Sequence, residues 1–435
     1  MRALQRARRS CRLLPFFPCA HAGHPLWQHA VKQVTVQLHA QISMQKLDGL
    51  PCMGVVYISA SYAQHAGDIV AMLSKALPDV QHWVGCAGHS VLAGDMDYGH
   101  AGALAVMLPY LEAHDYQVFS GLAPWREQRF SAHSALIHGD ASSPGIARQV
   151  QDLKKQVRSA ACMGALCDLQ EQHTQWAWGG KTAVDMPRSI GGGGVQVGGL
   201  SGVLFAEHVD CLSVSMQGCK PVGPACTITR VDGDVLLELD GRPALDVFFS
   251  DVPWADIWAQ MNPSVDAIWH KIQSTWMAMT PPGSYSSPSC LATDSRVLGV
   301  VGIDPLRQGI VLNGLPVEGC SLVQCQHDEQ TARTDMRRAC AEVWESLTAS
   351  LAHASLDVEG PAPAGRSICG AIYIRNLHRQ PLSRTPQIDA ELQLIRHALG
   401  PVPLLGFSSS CEIDAGALQH WSAQLLVFTR PLHVL

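Results

Sequence analysis

GVVYISA at 54–60 and GAIYIRN at 370–376 are the two stretches whose comparison decides the fold. Each is a β-branched and aromatic run of strand length. A helical pattern follows the first and ends in ALPDVQHWVGC, 76–86; another follows the second and ends in ALGPVPLLGF, 398–407. Beyond each glycine comes a polar loop and then a further apolar strand, GALAVMLP at 102–109 and SAQLLVFTRP at 422–431. The chain therefore carries one unit, strand-helix-strand-loop-strand, near both ends. A weaker third copy lies between them. SALIHGD, 134–140, is its strand, Ser143 and Pro144 open a helix, and Ile146, Val150, Leu153 and Val157 give one apolar face. WAWGGK, a run of four glycines at 191–194 and LSGVLFA complete it.

Between these copies the character changes. TITRVDGDVLLELDGRPALDVF, 227–248, reads as two strands around an Asp-Gly turn at 232–233, then a second Asp-Gly turn at 240–241 and a helix from about Pro243. Val297 to Cys325 reads as two or three strands, and about Asp328 to Leu351 as a helix. Residues 280–296 and 359–366 are loop by composition. The expected fold class is α/β (α+β), with repeated strand-helix-strand-loop-strand units forming two packed mixed-sheet domains.

With 435 residues, 47% hydrophobic and 16% charged, the chain can bury a large core. A net charge of -6 supplies no basic field for nucleic acid, so no nucleic-acid partner is expected. No apolar run reaches the roughly 20 residues of a membrane span. Fifteen cysteines without a Cys-x-x-Cys pair read as reduced core residues of a cytoplasmic protein rather than as a metal or disulfide framework. Five arginines in the first twelve positions, and no acidic residue before Asp48, mark residues 1–14 as a basic tail expected to be disordered.

GCKPVGPACTITRVDGDVLLELDGRPALDVF, 218–248, resembles the junction of the paired FIST domains. WVGC, GGLSGVLFAE (198–207), LGVVGIDPLRQGIVLNGLPVEG (298–319) and ALGPVPLLGFSSSCEI (398–413) fit the same pattern in order. The resemblance implies a FIST N-terminal domain over 15–245 and a FIST C-terminal domain over 246–435. It also implies a sensor that binds a small ligand, amino acids among the candidates. Because no output domain is recognised in the chain, the expected reading is a stand-alone sensor. Its state would pass to a separate histidine kinase, chemotaxis receptor or cyclic-di-GMP enzyme. One branch of the family is similar to haem-bound nitric oxide sensors, so haem is the alternative cofactor to none. The chain departs from the family where Gly-Glu-Ile becomes Cys411, Glu412, Ile413, and where a Cys-x-x-Arg turn becomes Asn376, Leu377, His378, Arg379.

PLLGFSSSCEIDAG, 403–416, concentrates the candidate chemistry. Cys411 makes a poor nucleophile beside Glu412, whose charge opposes a thiolate. One glycine and no lysine do not make a phosphate loop. Glu412 can accept hydrogen bonds from an amine, and Ser409 and Ser410 can bind a carboxylate or hydroxyl. The alternative for Glu412 is a turn cap or an arginine pair, and for Arg379, the candidate for an anionic ligand group, a surface salt bridge. The loop Gly85 to Gly94 is read as the counterpart wall, with His89 in the position equivalent to the glutamate region of the C-terminal copy. The candidate ligand-binding set is Glu412, Ser409, Ser410, Arg379, His89, Gly85 and Gly406. An enzyme is not expected; its nearest acid-base pair would be Glu412 with His378.

Overall fold

Strand β2 (Met53–Ser59) is buried along its whole length because both of its faces are covered. In this computed structural model, which describes residues 16–45, 51–121, 130–158, 161–169, 175–179, 195–196, 198–250, 264–273, 275–284, 291–292, 294–353, 366–379 and 383–431, the chain divides into two compact units. The first comprises Met1–Val214, Arg337–Ala417 and Ala423–Leu435; the second comprises Ser215–Met336 and Leu418–Ser422. These spatial units do not coincide with a cut at 245/246. Strand pairings between the two ends of the chain hold both ends in the first unit.

The first unit is three turns of one connectivity. In the first turn β1 (Cys19–Gly23) lies antiparallel to β6 (Ala103–Met107), β6 antiparallel to β2, and β2 parallel to β3 (His82–Gly88). The helix Ala66–Ala76 makes the crossover, and the hairpin β4 (Ser90–Ala93) and β5 (Met96–Asp97) follows β3. In the second turn β7 (Tyr116–Ser120), β8 (Ser134–Asp140), β9 (Cys162–Cys167), the hairpin β10 (Gln175–Gly179) and β11 (Val195–Gln196), and β12 (Leu200–Phe205) repeat this order. The helix Ile146–Gln156 is its crossover. The weak middle copy read from the sequence is thus a full repeat. The four glycines at 191–194 lie outside the described residues, as do residues 1–14.

After β13 (Cys211–Met216) the chain enters the second unit, an all-antiparallel structure. There β15 (Cys226–Asp232), β16 (Val235–Leu239), β20 (Gly309–Leu312), β19 (Arg296–Asp304), β18 (Trp276–Thr280) and β21 (Ser321–His327) pair in a closed ring. β14 (Cys219–Pro221) adds to β21, and the short β17 (Arg242–Pro243) to β16. Closure removes the free edges that a six-stranded sheet would otherwise expose. Both expected Asp-Gly turns are in place, and the helix follows at Ala244–Ser250. The mixed sheets expected from the sequence lie in the first unit, where parallel pairs stand beside antiparallel ones, and this stretch closes into an antiparallel barrel.

The helix Glu329–His353 leads back to the third repeat: β22 (Arg366–Asn376), the two-residue β23 (Gln387–Ile388), the helix Ala390–Leu399, β24 (Leu404–Ser409), β25 (Cys411–Asp414), β26 (Ala417–Gln419) and β27 (Ala423–Pro431). β22 is parallel to β24 and antiparallel to β27, and β13 flanks β27. The repeats are joined by exchanged hairpins. β4 of the first pairs with β24 of the third, β10 of the second with β3 of the first, and β25 of the third with β9 of the second. The exchange is cyclic.

Period-two alternation sorts the side chains. Val55 and Tyr57 face an inner core with Leu136, Met163, Ile372, Ile374 and Phe407 from the other repeats, while Val56 and Ile58 face the outer helices Trp27–Gln45 and Ala66–Ala76. Near the middle of that core the Tyr57 hydroxyl lies 3.0 Å from His138 Nε2, and the Tyr57 and Phe407 rings are 4.5 Å apart. None of the thirteen described cysteines forms a disulfide, and none is exposed. Among the described residues no helix is long and apolar enough to cross a membrane.

Candidate functional site

Three glycines set the geometry of the repeats. Gly85 stands opposite Val56, Gly164 opposite Ile137 and Gly406 opposite Tyr373. A Cβ at these positions would come within 1.8, 1.9 and 1.6 Å of the partner residue's carbonyl oxygen. Gly85 and Gly406, expected to line a ligand site, therefore have a steric duty inside the sheets. Each glycine also fixes the numbering that follows it.

One residue beyond them, Cys86, Ala165 and Phe407 face Gln175, Glu412 and Val91 of the exchanged hairpins. The counterparts of Glu412 are thus Val91 and Gln175. His89 corresponds to Ser410, two residues before Glu412 in the region expected from the sequence.

His89 and Ser410 meet directly, His89 Nε2 to Ser410 Oγ at 2.8 Å, and both are half-buried. Asp168, four residues beyond Gly164 as Ser410 is beyond Gly406, donates its backbone N–H to the same hydroxyl at 2.8 Å. From there a polar chain runs inward. Asn376 Nδ2 donates to the Ser410 carbonyl at 3.0 Å and to Glu412 Oε1 at 3.2 Å. Ser409 Oγ lies 2.6 Å from Glu412 Oε1 and 3.1 Å from the Arg375 carbonyl oxygen. Glu412, Ser409 and Asn376 are all buried. Of the residues proposed from the sequence, the fold thus joins His89, Ser410, Ser409 and Glu412 in one hydrogen-bonded run. His378 sits on the adjoining turn, its N–H on Asn376 Oδ1 at 3.1 Å, with burial lowering its imidazole pKa.

Arg379 belongs to a second cluster. Ile372 and Ile374 point to the inner core, so Tyr373 and Arg375 project from the opposite face of β22. Over that face lies the start of the helix Ala390–Leu399. Asp389 is its N-cap, Oδ1 accepting from Leu392 N at 2.9 Å, and Glu391 sits in its first turn, where a helix favours negative charge. Arg375 donates to Asp389 Oδ2 and Asp97 Oδ2, both at 2.6 Å, and to Glu391 Oε2 at 3.3 Å. Asp97 comes from the first repeat, its Oδ1 accepting from Ser90 Oγ and from Gly99 N at 2.8 Å. Arg379 donates to Glu391 Oε1 at 2.8 Å, and the Tyr373 hydroxyl to Glu391 Oε2 at 2.8 Å.

These five charged residues are buried, Arg375 to 1% and Asp97 to 0% exposure, so Arg379 is a buried partner of Glu391 rather than a surface cation. Burial alone would raise the Glu391 pKa. The Arg379 and Arg375 guanidiniums outweigh it and hold the carboxyl down at about 2. Burial likewise opposes the charge on Arg375, but Asp389, Glu391 and Asp97 raise its pKa above the usual arginine value. A folded pKa below the unfolded one means stability that is full above the ordinary glutamate value of about 4.3 and is lost as pH falls. Urea midpoints taken between pH 7 and pH 2.5 are therefore expected to fall through this window, and Glu391→Gln to flatten that limb. An unchanged slope in the variant would count against the assignment.

Sequence reasoning missed Arg375, Asp97, Asp389 and Glu391. A signal existed: an arginine inside the apolar run GAIYIRN has no place unless acids meet it, and Asp389-Ala390-Glu391 is a legible helix start.

A repeat protein with exchanged hairpins and a half-exposed polar junction over buried carboxylates is the class this geometry defines. Residues 52–242, a stretch that takes in β2 through β16, match the FIST N domain family. The chain is also similar to Uncharacterized protein Rv0628c of Mycobacterium tuberculosis, 25% identical over 418 residues, covering 92% of this chain and 96% of that one. Uncharacterized protein Mb0898c of Mycobacterium bovis is 23% identical over 423 residues, covering 91% and 95%.

Proposed function

We propose that this chain is a small-ligand sensory protein and that residues 246–435 supply the C-terminal partner of its FIST N domain. The observation that carries the reading is the meeting of His89 and Ser410. These are corresponding positions of the first and third repeats, 321 residues apart, half-buried and continuous with the buried Glu412 cluster. An imidazole and a hydroxyl at the ends of parallel strands suit the carboxylate or hydroxyl of an amino acid or related metabolite. Glu412, Ser409 and Arg379 then act from behind the contact surface. Ligand that breaks the His89–Ser410 bond would change the partners of Asn376, and through it those of Glu412. The response would pass to a separate chain, with a histidine kinase, a chemotaxis receptor or a cyclic-di-GMP enzyme as candidates.

A thermal-shift screen of amino acids and related metabolites tests this. A ligand at a hundredfold excess over its Kd stabilises by about 2.7 kcal/mol. His89→Ala is expected to abolish that shift with the unliganded Tm nearly unchanged, whereas Glu412→Gln, altering a buried hydrogen-bonded carboxylate, lowers the unliganded Tm as well. A ligand whose shift survives His89→Ala binds elsewhere and ends this reading of the site. For haem, the alternative, two histidines fit poorly. His138 is buried against the Tyr57 and Phe407 rings with its Nε2 at the Tyr57 hydroxyl, and His89 Nε2 is engaged by Ser410.

A further inference from the structure

Two histidines and an aspartate converge at the opposite border of the second repeat, away from the His89 junction in sequence. The antiparallel register of β12 on β7 places Phe205 against Tyr116, and Ala206 N continues the ladder to the Asp115 carbonyl at 2.8 Å. The turn that follows β12 thereby carries His208 over Asp115. Asp115 is the fixed member of the group. Its Oδ2 accepts the Glu112 N–H at 2.7 Å, which turns Oδ1 toward both imidazoles, 2.6 Å from His208 Nε2 and 3.3 Å from His114 Nε2. The three ligand atoms lie within 4.8 Å of one another. On its other side His114 offers Nδ1 to Glu112 Oε2 at 3.5 Å, the carboxylate-imidazole relay by which metal-bound histidines are oriented.

We infer that His114, Asp115 and His208 form a binding site for a divalent late transition-metal ion of the zinc, nickel or copper(II) type. Two neutral imidazoles and one carboxylate are the donor set these ions prefer, and hard oxygen-seeking ions such as magnesium are disfavoured by it. Tetrahedral zinc with bonds of about 2.0–2.1 Å needs its ligand atoms roughly 3.3 Å apart. The His114 separation already meets this, and the His208 ring, 58% exposed, is free to swing outward by the difference. Asp115 is only 14% exposed and anchors the site from below. Three protein ligands leave at least one position open to water or to a donor from another molecule. The group belongs to neither the FIST resemblance nor the His89 junction.

The test is isothermal titration of the full chain with zinc chloride, wild type against His114→Ala/His208→Ala and against Asp115→Asn. The wild type is expected to bind one more zinc ion per chain than either variant, and Glu112→Gln to bind that ion about tenfold more weakly. Equal stoichiometry and affinity in wild type and double variant, including no binding by either, would overturn the proposal. Should the double variant fail to fold, carbethoxylation of the wild-type protein read by mass spectrometry decides it. Zinc protects His114 and His208 if the site exists; equal modification with and without zinc refutes it.

Discussion

Arg375→Met is expected to destabilise the first unit by about 3–5 kcal/mol at neutral pH, the range for removing one partner of a buried ion pair. Methionine fills most of the arginine's volume but leaves Asp97, Asp389 and Glu391, each at most 8% exposed, with Arg379 as the remaining guanidinium of the cluster. The loss comes from the carboxylates that stay behind. Glu391, whose carboxyl the two guanidiniums hold down, can relieve it by taking up a proton, so the deficit relative to wild type should shrink as pH is lowered. Chemical unfolding followed by circular dichroism at several pH values measures both effects. A deficit under about 1 kcal/mol, or one that does not depend on pH, would mean that the cluster is not held by Arg375. Arg375→Lys is expected to recover little, since a single ammonium cannot reproduce the fork that reaches Asp97 with one nitrogen and Asp389 with the other.

Gly406→Ala is the second large effect, of about 3 kcal/mol or more. The added Cβ would stand 1.6 Å from the Tyr373 carbonyl oxygen, which is backbone of a paired strand and not a side chain that can rotate away. Relief requires β22 and β24 to separate, and that also displaces Arg375 and Asn376, which lie along the same pairing. Gly164→Ala and Gly85→Ala should behave alike, because both meet a carbonyl oxygen at nearly the same distance. Gly121→Ala, with its nearest atom at 3.9 Å, is the control and should stay within about 0.5 kcal/mol. Similar small losses at all four sites would contradict the close approach on which the repeat register rests.

The local elements of this protein were determined by its sequence. GVVYISA, SALIHGD and GAIYIRN are strands because β-branched and aromatic residues run without interruption, and the Asp-Gly pairs at 232–233 and 240–241 turn the chain because glycine accepts a positive φ. The presence of three copies was legible for the same reason. The partner of each hairpin was not. A strand edge offers the same N–H and C=O groups to any neighbour, so nothing in PLLGFSSSCEI states that β4 will pair with β24 or β25 with β9. That choice follows from burying three inner sheet faces in one core, and it alone brings His89 to Ser410 and Asp97 to Arg375 across 278 residues. It also made Arg379, the candidate for an anionic ligand group or else a surface salt bridge, a buried partner of Glu391. The pairing of EAHD at 112–115 with the turn carrying His208 has the same origin. Ninety-three residues separate His208 from Asp115, and a ladder between two strands, not a spacing, puts their side chains together.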